Sequence, residues 1–163
     1  MMISFIVISL TACSGGGGSS AAPSKAVLTL STSGTLSPGT TIGGIQVDVD
    51  LPLGVTAKAS GATANPSVME TDSGVVTAAG AAAGADFVHG MYMAGATPTV
   101  YRVNANVLKS AGGFTTGDFA KVSCGFVGQN PVVTDFHTAN FKAVDLNGTA
   151  IAGLTVSVAL SIQ

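Results

Sequence analysis

The chain has 163 residues, enough for one domain with a hydrophobic core; 47% of them are hydrophobic and only 9% are charged, which excludes a disordered acidic or basic tail. The net charge is −2, and the six Lys and Arg residues are scattered singly, so the sequence lacks the basic footprint of a nucleic-acid-binding protein. The 22 glycines, with abundant Val, Thr, Ser and Ala, favour short β-strands joined by turns.

A largely apolar run lies at residues 3–10, near the start of the chain. Its last residue is the first of Leu10-Thr11-Ala12-Cys13, and a Gly/Ser-rich stretch follows. The run is far shorter than the roughly 20 residues that span a bilayer, but it has the length of a signal-peptide hydrophobic region. This order of parts resembles the lipobox of bacterial lipoproteins. The resemblance implies that residues 1–12 are a signal peptide and that Cys13 becomes the mature N-terminus, carrying two or three acyl chains such as palmitate.

Several acyl chains on Cys13 would anchor the protein to a membrane effectively permanently, because each buried CH₂ contributes about 0.8 kcal/mol. In such lipoproteins a Ser at position 14, rather than Asp, goes with export to the outer membrane, which permits surface exposure. No Lys or Arg precedes the apolar run. Two alternatives therefore stay open: the true start lies upstream, or the run is an unprocessed apolar tail.

Residues 13–25 form a predicted flexible linker between the lipid and a domain at 26–163. The Gly/Ser composition of residues 14–24 is typical of a random coil, with an expected r.m.s. span of roughly 18 Å and an extended limit of roughly 35 Å. The domain can therefore stand clear of the lipid surface.

The remainder of the chain alternates apolar and polar residues with a period of two, which predicts half-buried strands. Residues 78–85, rich in Ala and Gly, are predicted as a loop with at most one helical turn. Asn147-Gly148 between apolar runs predicts a tight hairpin. The predicted strands lie at residues 27–30, 44–51, 87–93, 100–108, 119–127, 141–146, 149–151 and 154–162. Residues 68–70 and 75–77 are short strand candidates, and residues 55–59 are a candidate continuation of the second strand beyond the kink at Pro52.

Two strands show the alternation most clearly. In residues 44–51 the aliphatic side chains are predicted to face the core, and Gln46, Asp48 and Asp50 to face water. In the last strand the predicted inward residues are Leu154, Val156, Val158, Leu160 and Ile162, and the predicted outward residues are Thr155, Ser157, Ala159 and Ser161. Tyr101 and Cys124 are predicted to point inward from their own strands.

No amphipathic helix separates these strands, which excludes a parallel βαβ sheet. The sequence predicts an all-β fold, a two-sheet antiparallel sandwich of about eight or nine strands.

Three segments in order, residues 42–49, 117–122 and 143–148, are similar to those of a cohesin-type domain, a sandwich also found in related carbohydrate-binding modules. The resemblance spans most of residues 26–163 and implies a nine-stranded jelly roll with a binding role and no catalysis. The chain carries no dockerin or enzyme module, so cellulosome assembly does not follow from it.

The residues that could carry chemistry are few. Asp135 and His137 could share a strand face, but a zinc site normally needs three or four ligands. Asp145 and Asn147 are weak calcium candidates on a turn, although the distant glutamate of an EF-hand is missing. The eight carboxylates include one pair on a strand face, Asp48 and Asp50, for which a solvated surface is a simpler interpretation than a glycosidase pair. We therefore expect no cofactor, no metal and no catalytic residue.

The sequence leaves three hypotheses. The first is a lipid-anchored, non-catalytic envelope module that binds a protein or a polysaccharide. The second is a structural subunit that assembles through sheet edges, and the third is a glycan-acting enzyme. The chain has no Trp and only two Tyr, which weakens glycan binding through aromatic stacking. If a partner docks on a strand face, the flat row Thr155, Ser157, Ala159 and Ser161 is the predicted surface, because interface centres are depleted of charge.

Overall fold

The computed structural model describes residues 24–60, 68–94 and 101–163. Its strands lie close to the predicted ones, except that the strand predicted at residues 149–151 is reduced to an isolated bridge at Ala150. Two 3₁₀ turns, Gly80–Ala82 and Val133–Asp135, supply its helical residues. No helix among the described residues is long and apolar enough to cross a membrane. The strands are β1 Lys25–Ser33, β2 Gly44–Leu51, β3 Val55–Thr56, β4 Val68–Glu70, β5 Val76–Ala78, β6 Phe87–Ala94, β7 Tyr101–Leu108, β8 Gly117–Phe126, β9 His137–Val144 and β10 Thr155–Ile162.

The strands form two antiparallel sheets, as predicted, and there are ten of them within the described residues, compared with the expected eight or nine. In the first sheet the order is β10-β1-β8, and both β3 and β5 pair with the far side of β8. In the second sheet the order is β4-β6-β7-β2-β9.

The core fills the space between the sheets with side chains from alternate positions. On β2, Ile45, Val47, Val49 and Leu51 are buried, as predicted, and on β1, Leu28 and Leu30 are fully buried. Burying such a side chain contributes about 1.5–3 kcal/mol, so the period of two is the pattern that sets which face of each strand turns inward. Four phenylalanines complete the core: Phe114, Phe119, Phe126 and Phe136.

The structure confirms which β10 side chains point inward and which point outward, but the inward ones are less buried than predicted. Thr155, Ser157, Ala159 and Ser161 are exposed, whereas Val156 and Val158 are only half-buried. β10 is an edge strand that pairs only with β1 among the described strands, so its inward side chains are covered from one side only.

Tyr101 is a second correction. Its register opposite Leu51 and Ala94 puts it on the core side, as predicted, but it is 41% exposed. It is the first residue of β7, at the end of the sandwich, where its ring stacks on the buried Tyr92 with centroids 5.0 Å apart.

The predicted Asn147-Gly148 hairpin is present, with a different turn. Val144 bridges Ala150, and only Gly148 has a left-handed backbone, at φ 79°. Five residues, 145–149, lie between the bridged pair, and the Asp145 carboxylate accepts hydrogen bonds from the backbone N–H groups of Asn147 and Thr149, both at 2.8 Å. Such a side-chain cap stabilises a wider loop than a two-residue turn.

Candidate functional site

The lipid attachment residue, Cys13, lies outside the described residues, but the structure shows where the chain leading from it joins the domain. The Ser24 carbonyl accepts a hydrogen bond from the Phe126 N–H at 3.0 Å, and the Ser24 and Lys25 N–H groups both donate to the Gln163 carbonyl at 3.2 Å. The attachment point is therefore fixed at the end of the sandwich where β8 and β10 terminate.

The predicted docking row on β10 continues across the first sheet. Thr155, Ser157, Ala159 and Ser161 lie in register with the outward residues Ser33, Ser31, Thr29 and Val27 of β1. The hydroxyls of Ser33 and Thr155 are 2.8 Å apart. We call these eight residues the serine–threonine face. It carries only small, uncharged side chains, so another surface can approach its backbone closely.

The outer side of the second sheet is built differently, around Asp48. Its Oδ1 accepts a hydrogen bond from Asn104 Nδ2 at 2.6 Å, and its Oδ2 accepts from Asn140 Nδ2 at 2.7 Å and from Arg102 Nη1 at 3.2 Å. Asp48 is only 6% exposed. The prediction that this carboxylate lies in water is therefore wrong, because three long side chains from two neighbouring strands cover it.

Arg102 joins the two carboxylates of β2. Its Nε and Nη2 donate to both oxygens of Asp50, at 2.6 and 3.1 Å, while Nη1 reaches Asp48. The hydrogen bond to Asp50, reinforced by the charges of both carboxylates and opposed by partial burial, raises the pKa of Arg102 above its ordinary value. Asn106 donates to Asn104 at 2.6 Å and extends the set. We call Asp48, Asp50, Arg102, Asn104, Asn106 and Asn140 the polar network.

Asn140 reaches Asp48 because the backbone of β9 is irregular there. The β2–β9 register shifts between Gln46 and Asp48, and Asn140 has φ 51°, a conformation that non-glycine residues adopt rarely. Asn tolerates this region better than most residues. The bulge turns the Asn140 amide toward the carboxylate, so a local backbone cost is offset by a hydrogen bond to a charged group.

The polar network satisfies its carboxylates internally. The oxygens of Asp48 and Asp50 accept hydrogen bonds from one guanidinium and two amides, an arrangement that ties β2, β7 and β9 together. The alternation of single strands did not predict this network. The available signal was the match of Arg102-x-Asn104 to Asp48-x-Asp50; Asn140 gave none, because a bulge breaks periodicity.

The two histidines lie on different strands of the second sheet, His89 on β6 and His137 on β9. His89 Nε2 is 3.3 Å from Glu70 Oε1, and its ring stacks on Phe87. His137 begins β9, but Asp135 belongs to the preceding 3₁₀ turn, where its carboxylate accepts the Val132 N–H at 2.9 Å. The expected sharing of one strand face is therefore wrong. Within residues 24–60, 68–94 and 101–163, no three His, Cys, Asp or Glu side chains come together as a metal site.

The calcium candidates have a structural use. Asp145 holds its own turn through the two bonds to backbone N–H groups described above, so one of its oxygens is already committed.

Cys124 is a free, buried thiol on β8, as predicted, and desolvation raises its pKa to about 12. A thiol that holds its proton so firmly is a poor nucleophile.

Comparisons with protein-family models, with curated proteins and with solved structures find no match for this chain.

Proposed function

We propose that the protein is a lipid-anchored, non-catalytic module of the bacterial cell envelope, exported to the outer membrane, whose β-sandwich binds a protein or polysaccharide partner. The observation that carries the proposal is Leu10-Thr11-Ala12-Cys13, placed between an apolar run and a Gly/Ser-rich tether. A sandwich that begins right after this tether, with two broad outer faces, suits a binding role. The cohesin-like character of the domain belongs to the same proposal.

Lipidation is tested by expression in a Gram-negative host. The wild-type protein should partition into a detergent phase and incorporate labelled palmitate, and Cys13→Ser should abolish both. A wild-type protein that stays in the aqueous phase without label would remove the basis for the envelope location.

The serine–threonine face is the proposed contact surface. It offers hydroxyls and backbone at close range with few charges to desolvate, which suits the centre of an interface. Ser157→Arg should reduce recovery of the partner in a pull-down from envelope extract without lowering the melting temperature. The matched control is Lys142→Glu, which is also exposed and lies on the other sheet. Loss of binding there instead would move the contact to the second sheet.

Assembly through a sheet edge is a second candidate, and one observation favours it. The edge strand β10 is eight residues long and carries no charged residue and no Pro, the devices that usually block edge pairing. Light scattering after size exclusion separates the two candidates. A monomer supports the binding module, whereas a dimer or polymer that Val158→Lys dissociates supports edge assembly.

A further inference from the structure

Two of the most exposed large apolar side chains in the described residues lie side by side at one end of the sandwich. Leu53, in the turn after β2, is 81% exposed, and Val127, directly after β8, is 80% exposed. Both line one open cleft of about 210 Å³, together with Pro52 and Pro131. The Val127 N–H donates to the Gly54 carbonyl at 3.1 Å, which ties the two loops together. We call Leu53, Val127, Pro52 and Pro131 the apolar tip.

The apolar tip lies at the end of the domain from which the tether leaves. Ser24 is hydrogen-bonded to Phe126, the neighbour of Val127 in the chain, and Phe126 pairs with Val55. The opposite end of β1, at Ser33, faces the other way. The side chains that have the most to gain from leaving water are thus the ones next to the attachment point.

The surroundings of the tip are partly basic. Lys25 and Lys58 are exposed and line an open cleft with Ser24 at the same end. Two acidic side chains lie nearby as well: Asp72 lines the same cleft as the lysines, and Asp135 lines the cleft of the tip. Asp72 accepts a hydrogen bond from the Ser60 hydroxyl, and Asp135 accepts one from the Val132 N–H. Lysines close to a membrane surface are attracted to anionic head groups.

We propose that the apolar tip contacts the lipid bilayer, inserting Leu53 and Val127 into the head-group region and holding the sandwich end-on to the membrane. This inference rests on the proposed lipidation of Cys13. Ten residues separate Cys13 from Ser24, and their composition gives an expected span of roughly 18 Å. The tether therefore keeps this end at a high effective concentration near the bilayer, where aliphatic side chains enter to a depth of roughly 5–10 Å.

The absence of Trp from the chain allows a direct test. The full-length lipidated protein is prepared as three single variants, Leu53→Trp, Val127→Trp and the control Leu146→Trp. Leu146 is also exposed but lies in the turn after β9, whose end pairs with the start of β2, away from the tether. Each variant is reconstituted into phosphatidylcholine–phosphatidylglycerol vesicles that contain phosphatidylcholine brominated near the head group.

The expected result is a blue-shifted emission and a loss of fluorescence on bromination for Leu53→Trp and Val127→Trp, with neither change for Leu146→Trp. Equal quenching of all three, or of none, overturns the inference while flotation with the vesicles still supports the anchor. A protein that fails to float with the vesicles overturns the lipidation proposal itself. Equal melting temperatures of the three variants verify that each is folded.

Discussion

Asp48 offers the sharpest test of how the second sheet is held together. Asp48→Ala removes the one acceptor shared by Asn104, Asn140 and Arg102. Arg102 retains Asp50, and the exposed Asn140 can turn to water. Asn104 is buried, so its amide hydrogens lose their partner in a place that water enters poorly.

The expected loss of stability follows from how Asp48→Ala leaves each of these three partners. A buried donor left without an acceptor costs about 1–3 kcal/mol, and removing one partner of a buried charge pair costs about 3–5 kcal/mol. Asp48 is the acceptor for the buried Asn104 amide and is also the partner of the Arg102 charge, but Arg102 keeps its second carboxylate. We therefore expect Asp48→Ala to lower the free energy of unfolding by about 3 kcal/mol. For a chain of this size, that corresponds to a fall in melting temperature of roughly 6–12 °C.

Urea unfolding followed by circular dichroism, on protein carrying Cys13→Ser, measures this loss. Gln46→Ala is the matched control, because Gln46 shares the strand and the face and its side chain makes no hydrogen bond among the described residues; it should change stability by less than about 0.5 kcal/mol. A double-mutant cycle with Asn104→Ala should give a coupling energy of about 1 kcal/mol or more. Similar small losses for Asp48→Ala and Gln46→Ala would show that Asp48 is a solvated surface residue and refute the network.

Three further predictions concern packing, register and the buried thiol. Gly43→Ala should lower the free energy of unfolding by about 1–3 kcal/mol in urea, because its Cβ would lie 2.6 Å from a backbone carbonyl oxygen. Gly125→Ala, whose Cβ meets nothing closer than 3.9 Å, should be neutral or stabilising. A larger loss for Gly125→Ala than for Gly43→Ala would contradict the packing. Val158→Asp should lower stability by about 1–3 kcal/mol and Ser157→Asp by less than about 0.5 kcal/mol, and equal melting temperatures would show that the β10 register is off by one. With a pKa raised to about 12, Cys124 should react with iodoacetamide far more slowly in the folded protein than in denaturant, and equal rates would mean that the thiol is accessible.

Much of the fold could be predicted because its strands are half-buried. Where one side of a strand faces the core and the other faces solvent, as in β2 and β10, hydrophobicity alternates and the sequence itself sets the register. Burial depth is a different quantity, since it depends on how many strands flank each one. Val158 and Tyr101 have the predicted orientation but remain partly exposed, one on an edge strand and the other at a strand end.

The polar network could not be predicted from the alternation of single strands, because its side chains come from three different strands. A carboxylate at an outward position is ordinarily solvated, and Asp48 is not, because Arg102 and Asn104 lie beside it on β7 and the bulge at Asn140 closes the third side. Strand order decides which side chains become neighbours, and the sequence does not state that order. The apolar tip was likewise invisible, because Leu53 and Val127 are 74 positions apart and meet only through the pairing of β3 with β8.

The central claim is that the mature protein begins at a lipidated Cys13. Mass spectrometry of the N-terminal peptide, from protein purified out of Gram-negative membranes, tests it most directly. We expect that the first residue is Cys13 and that its peptide carries the added mass of two or three acyl chains. A peptide that starts at another residue, or one in which Cys13 has a free thiol, would contradict it.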